Sequence, residues 1–290
     1  MQMNNYVIYT DSACDIAPAI LKEWGCKFCS LSFMFDDSNK TYLNFDMPIK
    51  EFYQKMRDGG VAKTSAINAD TFLQAFEPEL QAGNDVLYLG FSSGLSGTFN
   101  SARIAAVELS EKYPERKIIA VDSLAASAGF GLLLYLVVQK KKEGATIEEA
   151  VAYAKETRLH ICHWFTVDDL VYLKRGGRIS AATALVGSIL GIKPVLHVDN
   201  AGHLVSVSKA RGRKASIKAI VDQYGKLALD PKNGTVFICN GDCMEDVETM
   251  KKMLKEQYGA KVQLVTDTGA VIGAHSGPGT LALFFVGKER

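Results

Sequence analysis

The residues best placed to do chemistry lie in one short turn, residues 92–98, with the sequence SSGLSGT. The turn follows an apolar segment, 85–91, that is predicted as a buried strand, and it precedes a helix predicted over 99–110. Four hydroxyls and two glycines therefore lie at the carboxyl end of a strand, where open α/β sheets build their ligand sites. The N–H groups and the positive dipole end of the helix point back at the turn. The turn is predicted to hold an anion with uncharged donors.

Composition limits the class of protein to which the chain belongs. Its 290 residues are 48% hydrophobic and 22% charged, which is typical of one large or two ordinary globular domains. A net charge of +1 argues against a dedicated nucleic-acid binder. The first residues lack the pattern of a signal peptide, and the longest apolar run, 128–138, is too short for a transmembrane segment. Six scattered cysteines fit reduced thiols, so we expect a cytoplasmic protein.

Alternating strands and helices in the first half predict a parallel sheet with helices on both faces. The strands are predicted at 6–10, 26–33, 85–91 and 117–122, with a hairpin over 33–43. The helices are predicted at 18–24, from Pro48 to Gly59, and at 70–81, 99–110, 127–142 and 147–157. Residues 1–159 are therefore predicted to form an N-terminal α/β domain that carries the turn.

The second half mixes hairpins with helices and predicts another α/β domain, residues 160–290, with a mixed sheet. Its strands are predicted at 160–167, 192–199, 203–208, 235–240, 261–266 and 281–286. Its helices are predicted at 168–174, 181–190, 216–229 and 245–258. Because no linker separates the halves, we expect a tight interface between them, which is a natural place for a ligand pocket.

Two Asp-Ser pairs, Asp11-Ser12 and Asp122-Ser123, each follow a predicted parallel strand. Turn and helix-capping chemistry accounts for both pairs. The alternative is that both pairs lie on the rim of the ligand site.

Several motifs follow one another over nearly the whole chain and carry a family resemblance together. They are TDS at 10–12 with Asp15, TS at 64–65, SSGLSGT at 92–98, VDS at 121–123, LKRGGRI at 173–179, GIKP at 191–194, KARGR at 209–213 and HSGPGT at 275–280. In these motifs the chain resembles the DegV family of bacterial fatty-acid-binding proteins.

The resemblance implies two α/β domains with one long-chain fatty acid buried between or beneath them. It implies that Thr64 and Ser96 hold the carboxylate and that His275 lies near it. With the neighbouring residues of the same motifs, the expected site is Thr64, Ser65, Ser96, Gly97, Thr98 and His275. No cofactor is expected, and the protein is expected to bind its ligand rather than to act as a catalyst by itself.

The resemblance also implies a partner. Some members of the family are the binding subunit of a bacterial fatty acid kinase, and they present the carboxylate to a separate kinase subunit that makes acyl phosphate for phospholipid synthesis. Arg175, Arg178 and Arg211 would then be docking residues. They belong to a basic group in the second half that comprises Lys174, Arg175, Arg178, Lys193, Lys209, Arg211, Arg213 and Lys214. The alternative is that this group is an ordinary solvated face.

Burial of an acyl chain is energetically sufficient for binding. At about 0.8 kcal/mol per methylene, a C16 tail contributes on the order of 12 kcal/mol before the cost of association. Hydroxyls and backbone N–H groups at a helix start offset the cost of burying the carboxylate. Candidates for the tail's tunnel are Phe28, Phe33, Phe35, Leu89, Phe91, Phe130, Ile161, Phe165, Leu185, Ile189, Phe284 and Phe285.

Two other functions use the same residues. Residues 94–98 approach the G-x-S-x-G pattern of a serine hydrolase, with Ser96 as nucleophile and His275 as base. Candidates for the third member of that triad are Asp122, Asp199 and Asp267. A phosphate- or nucleotide-binding enzyme is the other alternative, although neither G-x-x-x-x-G-K-[ST] nor G-x-G-x-x-G after a strand is present. We expect no metal site, since His160 and His163 would face opposite sides of a strand.

Overall fold

The computed structural model describes residues 5–179 and 191–290 of the chain. The predicted helix 181–190, with the tunnel candidates Leu185 and Ile189, lies outside the described residues. The strands are β1 Tyr6–Asp11, β2 Cys26–Cys29, β3 Ser32–Phe35, β4 Tyr42–Leu43, β5 Ala62–Ser65, β6 Asp85–Gly90, β7 Ile118–Asp122, β8 Ile161–Thr166, β9 Ile192–Val198, β10 Leu204–Arg211, β11 Val236–Asn240, β12 Leu264–Asp267 and β13 Leu281–Val286.

The helices cover most of the remaining described chain. They are α1 Pro18–Glu23, α2 Ile49–Arg57, α3 Ala69–Gln81, α4 Thr98–Lys112, α5 Ser127–Lys142, α6 Ile147–Thr157, α7 Val171–Arg175, α8 Arg213–Leu227, α9 Met244–Tyr258 and α10 Ala270–Ser276. None of these helices is long and apolar enough to cross a membrane.

The N-terminal sheet has the order β2-β1-β6-β7, and all of its pairings are parallel. Every residue of β6 is buried, as expected of a strand whose two faces are both covered by helices. The C-terminal sheet has the order β10-β9-β8-β13-β11-β12. Its pairings are antiparallel except for β11 with β12, which is parallel. The predicted fold class, a parallel sheet followed by a mixed sheet, is confirmed.

A third, small sheet of order β4-β3-β5 corrects one prediction. Residues 26–33 were expected as one strand, but β2 ends at Cys29 and β3 begins at Ser32 in the small sheet. The break comes at Leu31, whose N–H donates to the Ser12 hydroxyl at 3.0 Å and whose carbonyl accepts from the N–H of Asn44 at 3.1 Å. These bonds take the chain out of the parallel ladder.

The two halves share their cores. The largest buried cluster joins side chains of the N-terminal sheet, such as Leu87, with Phe165 and Phe284 of the C-terminal sheet. A separate cluster joins Phe33 and Phe52 with Ala270 of α10, so this helix of the second half packs on the small sheet of the first. The interface is apolar and extensive, while the boundary at residue 159 stays a prediction.

Candidate functional site

A cavity of about 160 Å³, counted as space open to the centre of a water molecule, lies where the three sheets meet. Its apolar wall comes from both halves of the chain. That wall comprises Leu31, Ala66, Phe91, Leu95, Ala126, Phe165, Leu173, Val198, Leu204, Val271, Ile272, Ala282 and Phe284. Its polar lining is formed by Thr64, Ser65, Ser96, Gly97, Ser127, His163, Arg178, Thr268, His275, Ser276 and Thr280.

Thr64 and His275 meet in the wall of this cavity. Thr64 lies on β5 and His275 on the last turn of α10, and the Thr64 Oγ1 and His275 Nε2 atoms are 2.8 Å apart. The buried Nδ1 atom of His275 has no hydrogen-bond partner among the described residues. Burial, and next the positive charge of Arg178, lowers the pKa of His275 to about 4. The imidazole is therefore neutral at physiological pH.

The turn 92–98 brings its hydroxyls to the cavity at the start of α4. The Ser96 hydroxyl accepts from the N–H of Thr98 at 3.2 Å, and its oxygen lies 3.0 Å from Thr98 Oγ1. Thr98 itself is buried, and its hydroxyl oxygen also accepts from the N–H of Ile67 at 3.4 Å. Ser96 and Gly97 thus line the cavity, while Thr98 links the turn to the segment that follows Thr64.

The two Asp residues of the Asp-Ser pairs hold this turn from behind. Asp11 Oδ2 accepts from the N–H of Phe91 at 2.9 Å, and Asp122 Oδ1 accepts from the N–H of Ser93 at 3.2 Å. Asp11 also caps a short helical turn by accepting from the N–H of Ala13. Neither pair lines the cavity, so turn and capping chemistry is the interpretation that the geometry supports.

The predicted docking arginines occupy different environments. Arg175 and Arg211 are exposed. Arg178 instead lines the cavity, where its Nε donates to the carbonyl of Leu95 at 3.2 Å and its Nη1 to the carbonyl of Gly176. Burial lowers the pKa of Arg178. The turn is free of arginine, as its sequence shows, but the cavity is not.

Two further members of the basic group, Lys193 and Arg213, form ion pairs within the chain. Lys193 Nζ lies 2.7 Å from Asp168 Oδ1, and Arg213 Nε lies 2.8 Å from Asp246 Oδ2. Arg213 also donates to the carbonyl of Gly279 at 2.6 Å. The ion-pair partners of these two cations lie in the C-terminal half. Arg175 and Arg211, by contrast, have no carboxylate partner among the described residues.

Three of the proposed tunnel residues, Phe91, Phe165 and Phe284, line the cavity. The others in the described chain are core or neighbouring side chains that do not line it. They are Phe28, Phe33, Phe35, Leu89, Phe130, Ile161 and Phe285. Sequence periodicity marked them as buried, but burial alone does not separate a cavity wall from a core.

Comparison with known proteins identifies the family. The DegV family model matches residues 5–288. The chain belongs to the DegV family. It is 45% identical to a DegV domain-containing protein of Clostridium perfringens, with 99% of both chains covered. Among solved structures, it is similar to a fatty-acid-binding DegV family protein of Thermus thermophilus, with 29% identity, a TM-score of 0.88 and coverage of 98% and 99%. It is also similar to a stearic-acid-binding protein of Eubacterium ventriosum, with 27% identity, a TM-score of 0.88 and 98% of both chains covered.

The arrangement in this DegV family member does not assemble the triad of a serine hydrolase. The Ser96 hydroxyl pairs with Thr98, and His275 Nε2 pairs with Thr64. The three candidate carboxylates, Asp122, Asp199 and Asp267, bond instead to backbone N–H groups or to Asn240. That chemistry requires a nucleophile that is hydrogen-bonded to a base, and a base that is hydrogen-bonded to an orienting acid.

Two site elements escaped the sequence analysis. Neither α10, which carries His275, nor β5, which carries Thr64, was predicted. His163 was considered only as a metal ligand, but it lines the cavity, with its Nδ1 2.8 Å from the carbonyl of Ile161. Burial holds the pKa of His163 well below its usual value. Over residues 5–179 and 191–290, no three His, Cys, Asp or Glu side chains gather as a metal site.

Proposed function

We propose that the cavity binds one long-chain fatty acid, with the carboxylate at Thr64, Ser96 and His275 and the tail along Phe91, Phe165 and Phe284. The observation that carries the proposal is the Thr64–His275 pair. It places hydrogen-bond donors in the wall of a largely apolar cavity, beside the turn 92–98. Fatty-acid binding by the similar proteins of Thermus thermophilus and Eubacterium ventriosum supports it.

The tautomer of His275 decides what Thr64 offers to the ligand. With the proton on Nε2, the imidazole donates to Thr64 Oγ1, and the Thr64 hydroxyl proton is free to donate to a carboxylate oxygen. Ser65 and the N–H groups at the start of α4 add uncharged donors, and Gly97 leaves open space for the head group. Arg178 supplies positive charge nearby while its N–H groups bond to backbone carbonyls. The carboxylate is thus stabilised without a tight ion pair.

The test removes both hydroxyls together. We expect Thr64→Val with Ser96→Ala to weaken fatty-acid binding by about 100-fold, because two charge-assisted hydrogen bonds are lost. Affinity is measured on delipidated protein by displacement of a fluorescent fatty acid, and native mass spectrometry reports the stoichiometry.

The matched control removes the same two groups elsewhere, at Ser110 and Thr249. Both hydroxyls bond to carbonyls of their own helices, so Ser110→Ala with Thr249→Val is expected to bind like the parent. Equal affinity of the test and control variants would mean that the carboxylate is held elsewhere.

We further propose that the protein presents its ligand to a separate fatty acid kinase subunit, which docks on Arg175 and Arg211. Both side chains are exposed, and the described chain gives neither a carboxylate partner. We expect Arg175→Ala with Arg211→Ala to bind fatty acid normally but to support at least tenfold less acyl phosphate formation, and the parent's turnover to fall as salt rises.

The control for docking is Arg103→Ala on α4, where the guanidinium bonds to Asn100 outside the basic group. This variant is expected to support full turnover. Undiminished turnover of the Arg175/Arg211 variant would exclude these arginines as the docking surface, whatever the outcome of the binding test.

A further inference from the structure

Helix α10 carries His275 but is anchored by side chains of the other half of the chain. Asp15 Oδ1 accepts from the N–H of Gly269 at 3.0 Å, and Asn44 Oδ1 accepts from the N–H of Val271 at 2.8 Å. The Tyr53 hydroxyl donates to the carbonyl of Thr268 at 2.7 Å. Three side chains of the N-terminal half therefore bond to Thr268, Gly269 and Val271, where the helix begins.

The anchor is buried and tightly packed. Asp15 and Asn44 are each 2% exposed and Tyr53 is fully buried. A Cβ atom on Gly269 would lie 2.6 Å from Asn44 Nδ2 and 2.7 Å from Asp15 Oδ1. No side chain fits at Gly269 without displacing these groups, and the hydrogen bonds are direct, so they fix the position of the helix start.

The anchoring side chains are themselves fixed. Asp15 Oδ2 accepts from the Ser127 hydroxyl at 2.6 Å, and the Asp15 carbonyl accepts from the Thr266 hydroxyl at 2.7 Å. Asn44 Nδ2 donates to the carbonyl of Ser12 at 3.2 Å. The side chains of Asp15 and Asn44 each have their orientation set by a second hydrogen bond, and the Tyr53 ring is fixed by burial, so the anchors hold the helix rather than move with it.

Helix α10 is only seven residues long, which is about 10 Å at 1.5 Å per residue. His275 therefore lies less than two turns from the anchored start of the helix, and a shift at that start moves the His275 ring. Thr64 lies on β5, in the same half of the chain as the three anchors. We propose that Asp15, Asn44 and Tyr53 are positioning residues that dock α10 on the N-terminal half and so set the His275 ring against Thr64. The expected effect on ligand affinity rests on the proposed function, whereas the positioning of His275 against Thr64 does not.

The experiment follows the His275 ring by NMR titration in ligand-free protein and fatty-acid affinity in parallel. In the parent the pKa of His275 is about 4, because the partly exposed ring is largely removed from water and lies near Arg178. We expect Tyr53→Phe and Asp15→Ala to raise it towards its ordinary value, since a loosened helix admits water, and to weaken binding about tenfold, as for one lost buried hydrogen bond. Asp15→Asn keeps the acceptor for Gly269 and is expected to restore both readouts.

The matched control is Asp85→Asn, a buried carboxyl at the start of β6 that accepts from the N–H of Lys117 at 3.0 Å. It is expected to leave both readouts unchanged. A parental His275 titration in folded Tyr53→Phe and Asp15→Ala would overturn the proposal. If Asp15→Ala does not fold, Tyr53→Phe decides, because it removes one hydroxyl and keeps the ring. A raised pKa with unchanged affinity would support the positioning role and count against carboxylate binding at His275.

Discussion

At the scale of single residues, burial sets the charges around the cavity. It lowers the pKa of His275 to about 4, and it raises the pKa of Asp11 to about 6 and that of Asp15 to about 7. Hydrogen bonds from Tyr88, Phe91 and Ala13 offset part of that rise at Asp11. Removal from water disfavours the charged form in each case. Near neutral pH the head region therefore combines a neutral imidazole with uncharged hydroxyls.

The depressed pKa of His275 predicts a pH-dependent stability. Between pH 6.5 and 4 the unfolded chain binds a proton at this residue that the folded protein does not, so its contribution to stability falls as the pH falls through this window. Above pH 7 neither state binds the proton. The loss is on the order of 2 kcal/mol for a partly exposed ring.

The measurement compares the parent with His275→Gln, which keeps an amide near Thr64. Urea unfolding at pH 7.5 and at pH 4.5 gives the free energy of unfolding of each, and the difference between the two proteins is expected to shift in favour of the variant at the lower pH. Taking this difference cancels the contributions of Asp11, Asp15 and His163, which titrate in both. A pH-independent difference would mean that the ring is hydrated.

At the scale of elements, the long helices and most strands were predictable, whereas the short elements that build the site were not. Helices 127–142 and 147–157 have the predicted bounds, because a long apolar run followed by lysines marks the first and Thr146 provides a capping box for the second. Of the small sheet, only the hairpin of β3 and β4 was predicted, as the hairpin over 33–43. Strand β5, with the sequence AKTS, has four residues, of which three are polar. So short a polar segment becomes a strand only because β3 pairs with it.

Helix α10 shows the same limit at the site itself. Its sequence, AVIGAHS, includes a glycine and runs directly into Gly277 and Pro278, which indicate a turn. The helix is stabilised by distant partners, such as Asn44, that lie more than 200 residues away in the chain. The motifs therefore identified the family and the residue types of the site, while the pairing of Thr64 with His275 depends on contacts that local sequence does not encode.

At the scale of the whole molecule, one side chain joins the two halves of the chain. The Arg290 guanidinium donates to the carbonyls of Leu124 and Arg158 in the first half and to those of Ile161 and Asp199 in the second. Burial lowers the pKa of Arg290 to about 10, so it stays charged at neutral pH. Its planar fork satisfies four carbonyls at once, which a lysine cannot do.

We therefore predict that Arg290→Met destabilises the protein by roughly 2 to 4 kcal/mol, because it leaves four partly buried carbonyls without this donor. Arg290→Lys should lie between this variant and the parent, since it keeps the charge and loses the fork. Urea unfolding followed by circular dichroism gives the midpoint, and a lower slope or two separate transitions would indicate that the halves unfold apart. Lys288→Met, at an exposed neighbour, is the control and should unfold like the parent. An Arg290→Met midpoint equal to that of the control would show that the shared apolar core, with residues such as Phe165 and Phe284, and the other hydrogen bonds between the halves hold them together without Arg290.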